Sequence, residues 1–141
     1  PAVLGIDVVA SIDGQTVDIE LQLNPWEDIT SENLVLMVAI GEKTTFENTG
    51  SNGETEFHHV LKKFVPNQNG TLLTSLLAGE TTTHSFQYTF VGNYQEETGI
   101  RNMVDHNTAH TVEEFDDLEV VVWVQDFDTW EVFNSARTDV E

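Results

Sequence analysis

Apolar and polar positions alternate over the first two dozen residues, with one break. Leu4, Ile6, Val8, Ala10 and Ile12 keep a period of two. After Asp13-Gly14 the period resumes, with Val17, Ile19, Leu21 and Leu23 set against Asp18, Glu20 and Gln22. Successive side chains of a strand point to opposite faces, so each arm has one buried and one wet face. Asp-Gly between two such runs signals a hairpin, because those residues tolerate positive φ. Leu34 to Ile40 is a continuous apolar run, and Leu118 to Gln125, apolar apart from Glu119 and Gln125, reads as a second buried strand. Their length suits central strands covered on both faces. Thr82 to Val91 alternates again, with His84, Phe86, Tyr88 and Phe90 on one face.

The remaining segments read less uniformly. Pro25 ends the second strand, and Asp28, Ser31 and Asn33 are turn formers. Thr44 to Phe46 suits a short strand, and Asn52-Gly53 is a second hairpin signal. Phe57, Leu61 and Phe64 recur at helical spacing, which predicts one or two helical turns over 57–64, stopped by Pro66. The alternation of Phe57, His59, Leu61 and Lys63 leaves a strand open there. Thr71 to Glu80 fits a short helix or a strand. Gly92 to Asp117 is the longest irregular stretch, a loop with room for a short helix and of the kind that carries binding residues. Asp126 to Thr129 is a turn, Trp130 to Ala136 the last strand, and the tail from Thr138 to Glu141 is expected to fray.

Seven or eight strands separated by Gly, Asn and Asp turns predict an all-β chain. The expected architecture is a two-sheet antiparallel β-sandwich, immunoglobulin-like or jelly-roll, with one short helical excursion. Its core is expected to include Ile6, Val8, Ile19, Leu21, Leu36, Val38, Phe86, Tyr88, Val122 and Val124. The 141 residues suit one domain spanning 1–141, read as cut from a longer secreted or surface chain.

Charge narrows the partners. The net charge is −20, from 25 acidic and 5 basic side chains. Phosphate binding needs clustered Lys and Arg, so nucleic acid is excluded as a partner. The absence of cysteine removes disulfides, thiol catalysis and Cys-based zinc sites. No stretch reaches the ~20 apolar residues of a transmembrane helix.

Candidate chemistry is sparse. Adjacent His58 and His59 on a strand would face opposite ways, so one metal rarely takes both. A metal-dependent jelly-roll enzyme remains an alternative, although its copper sites also need a His-x-His, which the chain lacks. His106 and His110 have metal-ligand spacing only on a helix, with Glu113 and Glu114 as available acids. Asp126 and Asp128 could share a calcium ion, or could simply form their turn. There is no nucleophile elbow and no Gly-rich phosphate loop. No catalytic residue is assigned and no cofactor other than calcium is expected. Trp26 and Trp130 lie beside turns, where an indole can stack on a sugar face or cap the core. Tyr94, Arg101, His106 and His110 give the long loop a mix suited to polar recognition of a glycan or a surface protein. Lys62 and Lys63 make a local positive spot on an acidic chain.

Two segments carry a family resemblance. Asn52 to Leu73, NGETEFHHVLKKFVPNQNGTLL, resembles a block of the form N-G-x-x-x-F-H-N-V-hydrophobic-[KR]-K-x-hydrophobic-P followed by Gly-Thr. Val120 to Ala136, VVVWVQDFDTWEVFNSA, resembles its companion, a hydrophobic strand into V-Q-D, a turn, then E-V-hydrophobic-x-A. Together they resemble the C-terminal β-domain of the Bacteroidetes 28-kDa outer-membrane-protein family, over about Leu34 to Ala136. The chain departs from that pattern at His59, where the family has Asn. The resemblance implies a secreted, cell-surface or outer-membrane location, an immunoglobulin-like fold, neighbouring domains in the same chain and no catalysis. The implied role is adhesion, ligand binding or domain spacing, with a carbohydrate-binding module as the alternative.

Overall fold

The first hairpin forms as its alternation predicts. In the computed structural model, which describes residues 2–97 and 103–141, β1 (Leu4–Asp13) pairs antiparallel with β2 (Thr16–Pro25). Ile6 stands opposite Leu23, and Ala10 opposite Ile19. Val17, Ile19, Leu21 and Leu23 are buried while Asp18, Glu20 and Gln22 are exposed. Gly14 holds the turn at φ +62.

The two apolar runs become neighbouring central strands. β3 (Leu34–Thr45) joins the predicted Leu34–Ile40 run to Thr44 and Thr45 in one strand of 12 residues. A long connection leads to β4 (Phe57–Val65), and β5 (Thr71–Leu72) returns to pair with the start of β3. β6 (Thr82–Thr89) crosses to the first sheet and pairs with β2. Two short pieces, β7 (Asn93–Tyr94) and β8 (Ala109–His110), pair in parallel. A 3₁₀ turn at Phe115–Asp117 leads into β9 (Leu118–Asp126), and β10 (Val132–Asp139) follows. The strand orders are β1-β2-β6 and β10-β9-β3-β4.

The even positions of β3 and β9, from Leu34 to Ile40 and Leu118 to Val124, face β1, β2 and β6 and form one core with them. The expected core residues all lie in or against it: Ile6, Val8, Phe86 and Tyr88 are half-buried, the others fully so. The odd positions Val35, Met37 and Ala39 are also buried, beneath a turn whose Gly70 approaches Met37 and beside the edge-on Phe64–Trp123 pair.

Two expectations are corrected. Residues 57–64 are strand, not helix, and the described helical excursion is the 3₁₀ turn at Phe115–Asp117. The pairing of β3 with β4 slips between Ile40 and Gly41, so Lys62 is an extra, bulged residue. The tail does not fray. Val140 is buried, and the N–H of Glu141 donates to Ala10 O at 3.1 Å.

Candidate functional site

The bulge at Lys62 decides what one edge of the sandwich holds. An extra residue re-aims the strand, and the Lys62 side chain turns inward until only 5% of it is exposed. It meets Glu42, the inward residue that follows Ile40 on β3, which is fully buried. The Lys62 ammonium lies 3.6 Å from the carboxylate and donates to the Thr111 carbonyl at 2.7 Å. The two carboxylate oxygens of Glu42 accept the N–H groups of Glu113 and Glu114, at 3.0 and 2.7 Å. Burial pushes the Glu42 pKa up, while those N–H groups and the Lys62 charge act against the rise. The node pins the 111–114 segment to β3 and β4. Beside it, His110 is 4% exposed, accepts the Val112 N–H at Nδ1 and packs edge-on to Phe90 and Phe115. Burial first, and the Lys62 charge second, lower its pKa.

A second tie crosses the outer face of the larger sheet. Glu119 of β9 is buried between His59 of β4, at 2.6 Å, and Arg137 of β10. Gly41 lies between them; a Cβ there would come within 3.2 Å of the Val60 carbonyl and 3.7 Å of the Glu119 side chain. Burial alone would raise the Glu119 pKa, and the hydrogen bonds and charges of His59 and Arg137 bring it below the ordinary value. Arg137 also binds Asp139 at 2.7 Å, and Lys43 lies 3.4 Å from Asp139. Neither buried acid is singled out from the sequence; the signal is a lone charge inside an apolar strand at Glu119 and, at Glu42, a charge in phase with the inward positions of the Leu34–Ile40 run.

Along β4 a cleft of about 600 Å³ opens towards solvent. Lys62, Lys63, Phe64, Asn67, Asn69 and His106 are among the residues lining it. Of the loop residues singled out from sequence, His106 reaches this cleft. Tyr94 is exposed on β7, in register with His110. Arg101 lies outside the described residues. His110 leaves the set of surface contacts because it is buried in the aromatic cluster.

The tryptophans belong to the other end. The 92–117 segment starts where the β1–β2 turn residue Gln15 donates to the carbonyls of Phe90 and Gly92. Trp26 follows the opposite end of β2, and Trp130 precedes β10 in the β9–β10 turn. Both are about two-thirds exposed, at 64% and 66%. Trp26 approaches Gly5, its Cζ2 and Cη2 atoms 3.4 Å from where a Cβ would stand, and Trp130 tilts against Phe127 at 5.5 Å between centroids. Trp130 holds φ +66, a conformation that costs a bulky residue about 1–3 kcal/mol. A cleft of about 640 Å³ at this end is lined by Glu27, Asp28, Thr30, Glu131 and Val132 among others.

Asp126 shapes its turn. Its Oδ1 accepts the N–H of Asp128 at 2.7 Å and of Thr129 at 3.2 Å, and these bonds lower its pKa. Asp128 is exposed. Among the described residues no three of His, Asp and Glu converge where they could hold one metal ion.

These features define a two-sheet antiparallel β-sandwich whose buried charges tie strands and loops together. The fold is similar to that of a domain of the outer membrane lipoprotein Omp28 from Porphyromonas gingivalis, with a TM-score of 0.61 and 16% identity over 99% of this chain and 89% of that one. The likeness is one of fold, and it falls on the same family that the two sequence blocks resemble. A GH3 beta-glucosidase from Bifidobacterium adolescentis aligns at a TM-score of 0.35 and 17% identity, over 99% of this chain and 17% of that one, too low to carry a structural argument. No protein-family model and no curated protein matches the chain.

Proposed function

We propose that this chain is a non-catalytic β-sandwich module of a bacterial outer-membrane or cell-surface protein, serving binding and spacing. The observation that carries the reading is the convergence of two routes on one family: the blocks at Asn52–Leu73 and Val120–Ala136, and a fold likeness along 99% of the chain to a domain of an outer-membrane lipoprotein. The use of the charged groups supports it. Glu42, Lys62, Glu119 and Arg137 are engaged in ties between strands and loops, which is structural work rather than proton transfer. Antibody raised against this domain should label intact cells of the source bacterium, and external protease should remove the label. An epitope reached only after lysis would refute the reading.

A second reading, carbohydrate recognition, is favoured by the tryptophan end. Two indoles, each about two-thirds exposed, at the same end as a cleft bearing carboxylates and a hydroxyl, match what a sugar ring offers: an apolar face and a rim of hydroxyls. A glycan array tests it. Binding that disappears in both Trp26→Ala and Trp130→Ala, with melting temperatures unchanged, supports it, and binding indifferent to both refutes it.

A further inference from the structure

The first and last long strands lie side by side and run the same way. Ala10 and Val140 form a parallel bridge. The Ile12 N–H donates to Glu141 O at 3.0 Å, and the Glu141 N–H returns to Ala10 O at 3.1 Å. At the other end of the seam, the Asn134 side-chain amide donates to Leu4 O at 2.7 Å. Val140 is buried beside the seam, and its N–H donates to Leu118 O at 3.1 Å, which ties the seam to β9. Because β1 and β10 are parallel, the chain enters β1 at the tryptophan end and leaves β10 at the Gly14 end.

That geometry fixes how a pull would act. Tension between the start of β1 and the end of β10 runs along the strands. The hydrogen bonds of the seam cross between strands, so such a pull shears them together and must displace Val140 from the core at the same time. A pull on two points at one end would open the same bonds in sequence, each carrying the load alone. We propose that the β1–β10 seam is a mechanical clamp, and that this module bears tension between its two ends. The purpose of bearing load rests on the surface-module reading, since a chain anchored in a membrane and bound to something outside is pulled. The clamp itself does not depend on location.

Single-molecule stretching under constant force tests it. The chain has no cysteine, so one introduced thiol is an unambiguous handle. A common tag after Glu141 is paired with Ala2→Cys for the end-to-end pull, and with Asp13→Cys for a pull from one end. The lifetime under equal load should be longer by about tenfold or more for the end-to-end pull, since forced unfolding follows the barrier to unfolding and not the equilibrium stability. Glu141→Pro, which removes one seam donor at an exposed position, should shorten the end-to-end lifetime severalfold and leave the one-end pull nearly unchanged. Equal lifetimes in the two geometries would overturn the clamp, and that comparison leaves the seam residues untouched. A clamp in a protein that cell labelling places inside the cell would refute the surface reading alone.

Discussion

Replacing Lys62 by methionine removes a buried cation and keeps most of the apolar stem. The ion pair with Glu42 and the hydrogen bond to the Thr111 carbonyl are lost. The Glu42 carboxylate stays fully buried, with only the N–H groups of Glu113 and Glu114 to oppose its charge. Removing one partner of a buried pair costs about 3–5 kcal/mol, because the other charge is stranded. At about 2.1 cal/mol/K per residue, unfolding this 141-residue chain carries an entropy of about 0.3 kcal/mol/K near its midpoint, so the melting temperature should fall by about 10–17 °C. The variant also has a pH signature. Burial already raises the Glu42 pKa, and losing Lys62 raises it further. A carboxyl with a raised folded pKa takes its proton earlier in the folded state than in the unfolded chain as pH falls. Lys62→Met should therefore regain stability relative to the parent between neutral pH and the ordinary carboxylate range. Adding Glu42→Gln should recover part of the loss at pH 7, since it removes the stranded charge. Urea denaturation at pH 7 and 5 measures all three. A loss under about 1 kcal/mol at pH 7, with no recovery at pH 5, would mean that the pair behaves as a hydrated surface pair, and the argument would fail.

Three further outcomes follow from other parts of the fold. Gly92→Ala should loosen the 93–112 segment and raise its cleavage in limited proteolysis, because Gly92 sits at φ +73 and a Cβ there would fall 1.9 Å from the Thr108 carbonyl oxygen. Val122→Asp should unfold the protein or cost several kcal/mol in a urea melt, since it places an unpaired charge at a fully buried core position. His110→Gln should narrow its stability deficit relative to the parent as pH falls from 7.5 to 5.5. The parent's His110 pKa is depressed, so the unfolded chain takes a proton below about 6.5 that the folded chain refuses, and the parent alone loses that stability. A deficit independent of pH would show that His110 protonates freely in the fold.

The strands that were legible in the sequence are those whose period survives along their whole length. β1, β2 and β6 alternate, and β3 over Leu34–Ile40 and β9 over Val120–Val124 are apolar on both faces. β4 was obscured by its own bulge. Phe57, Leu61 and Phe64 share a face of the sheet, but the extra residue at Lys62 sets Leu61 and Phe64 three apart, which imitates a helical spacing. The tail was obscured for a different reason. Its only apolar residue is Val140, and the partners that hold Val140 and Glu141 are Ala10 and Ile12, at the far end of the chain. A local reading sees four mostly polar residues and expects fraying. The candidate site divided along the same line. Its residue types were visible, but the opposite placement of the tryptophans and the long loop depends on which strand ends meet, and the burial of His110 depends on Phe90 and Phe115.

The described cations explain what kind of surface remains. Lys43 faces Asp117 and Asp139, Lys62 is buried against Glu42, Lys63 sits 5.2 Å over the Tyr88 ring, and Arg137 bridges Glu119 and Asp139. Each is engaged within the sandwich, and all but Arg137 stand on β3 or β4. The partly exposed contacts of Lys43 with Asp117 and Asp139 are solvent-screened and contribute little, whereas Glu42 and Glu119 are buried and would each be a stranded charge without their cation. Two of the described cations, Lys62 and Arg137, therefore go where an acid has been taken out of water, and most of the 25 acids are left facing solvent. Self-repulsion of that shell loads the fold at low salt and is screened within about 10 Å at 0.1 M. A partner that docks on this shell must bring positive charge or tolerate negative charge. On the carbohydrate reading proposed above, a neutral sugar held by its apolar face on Trp26 or Trp130 would do the second.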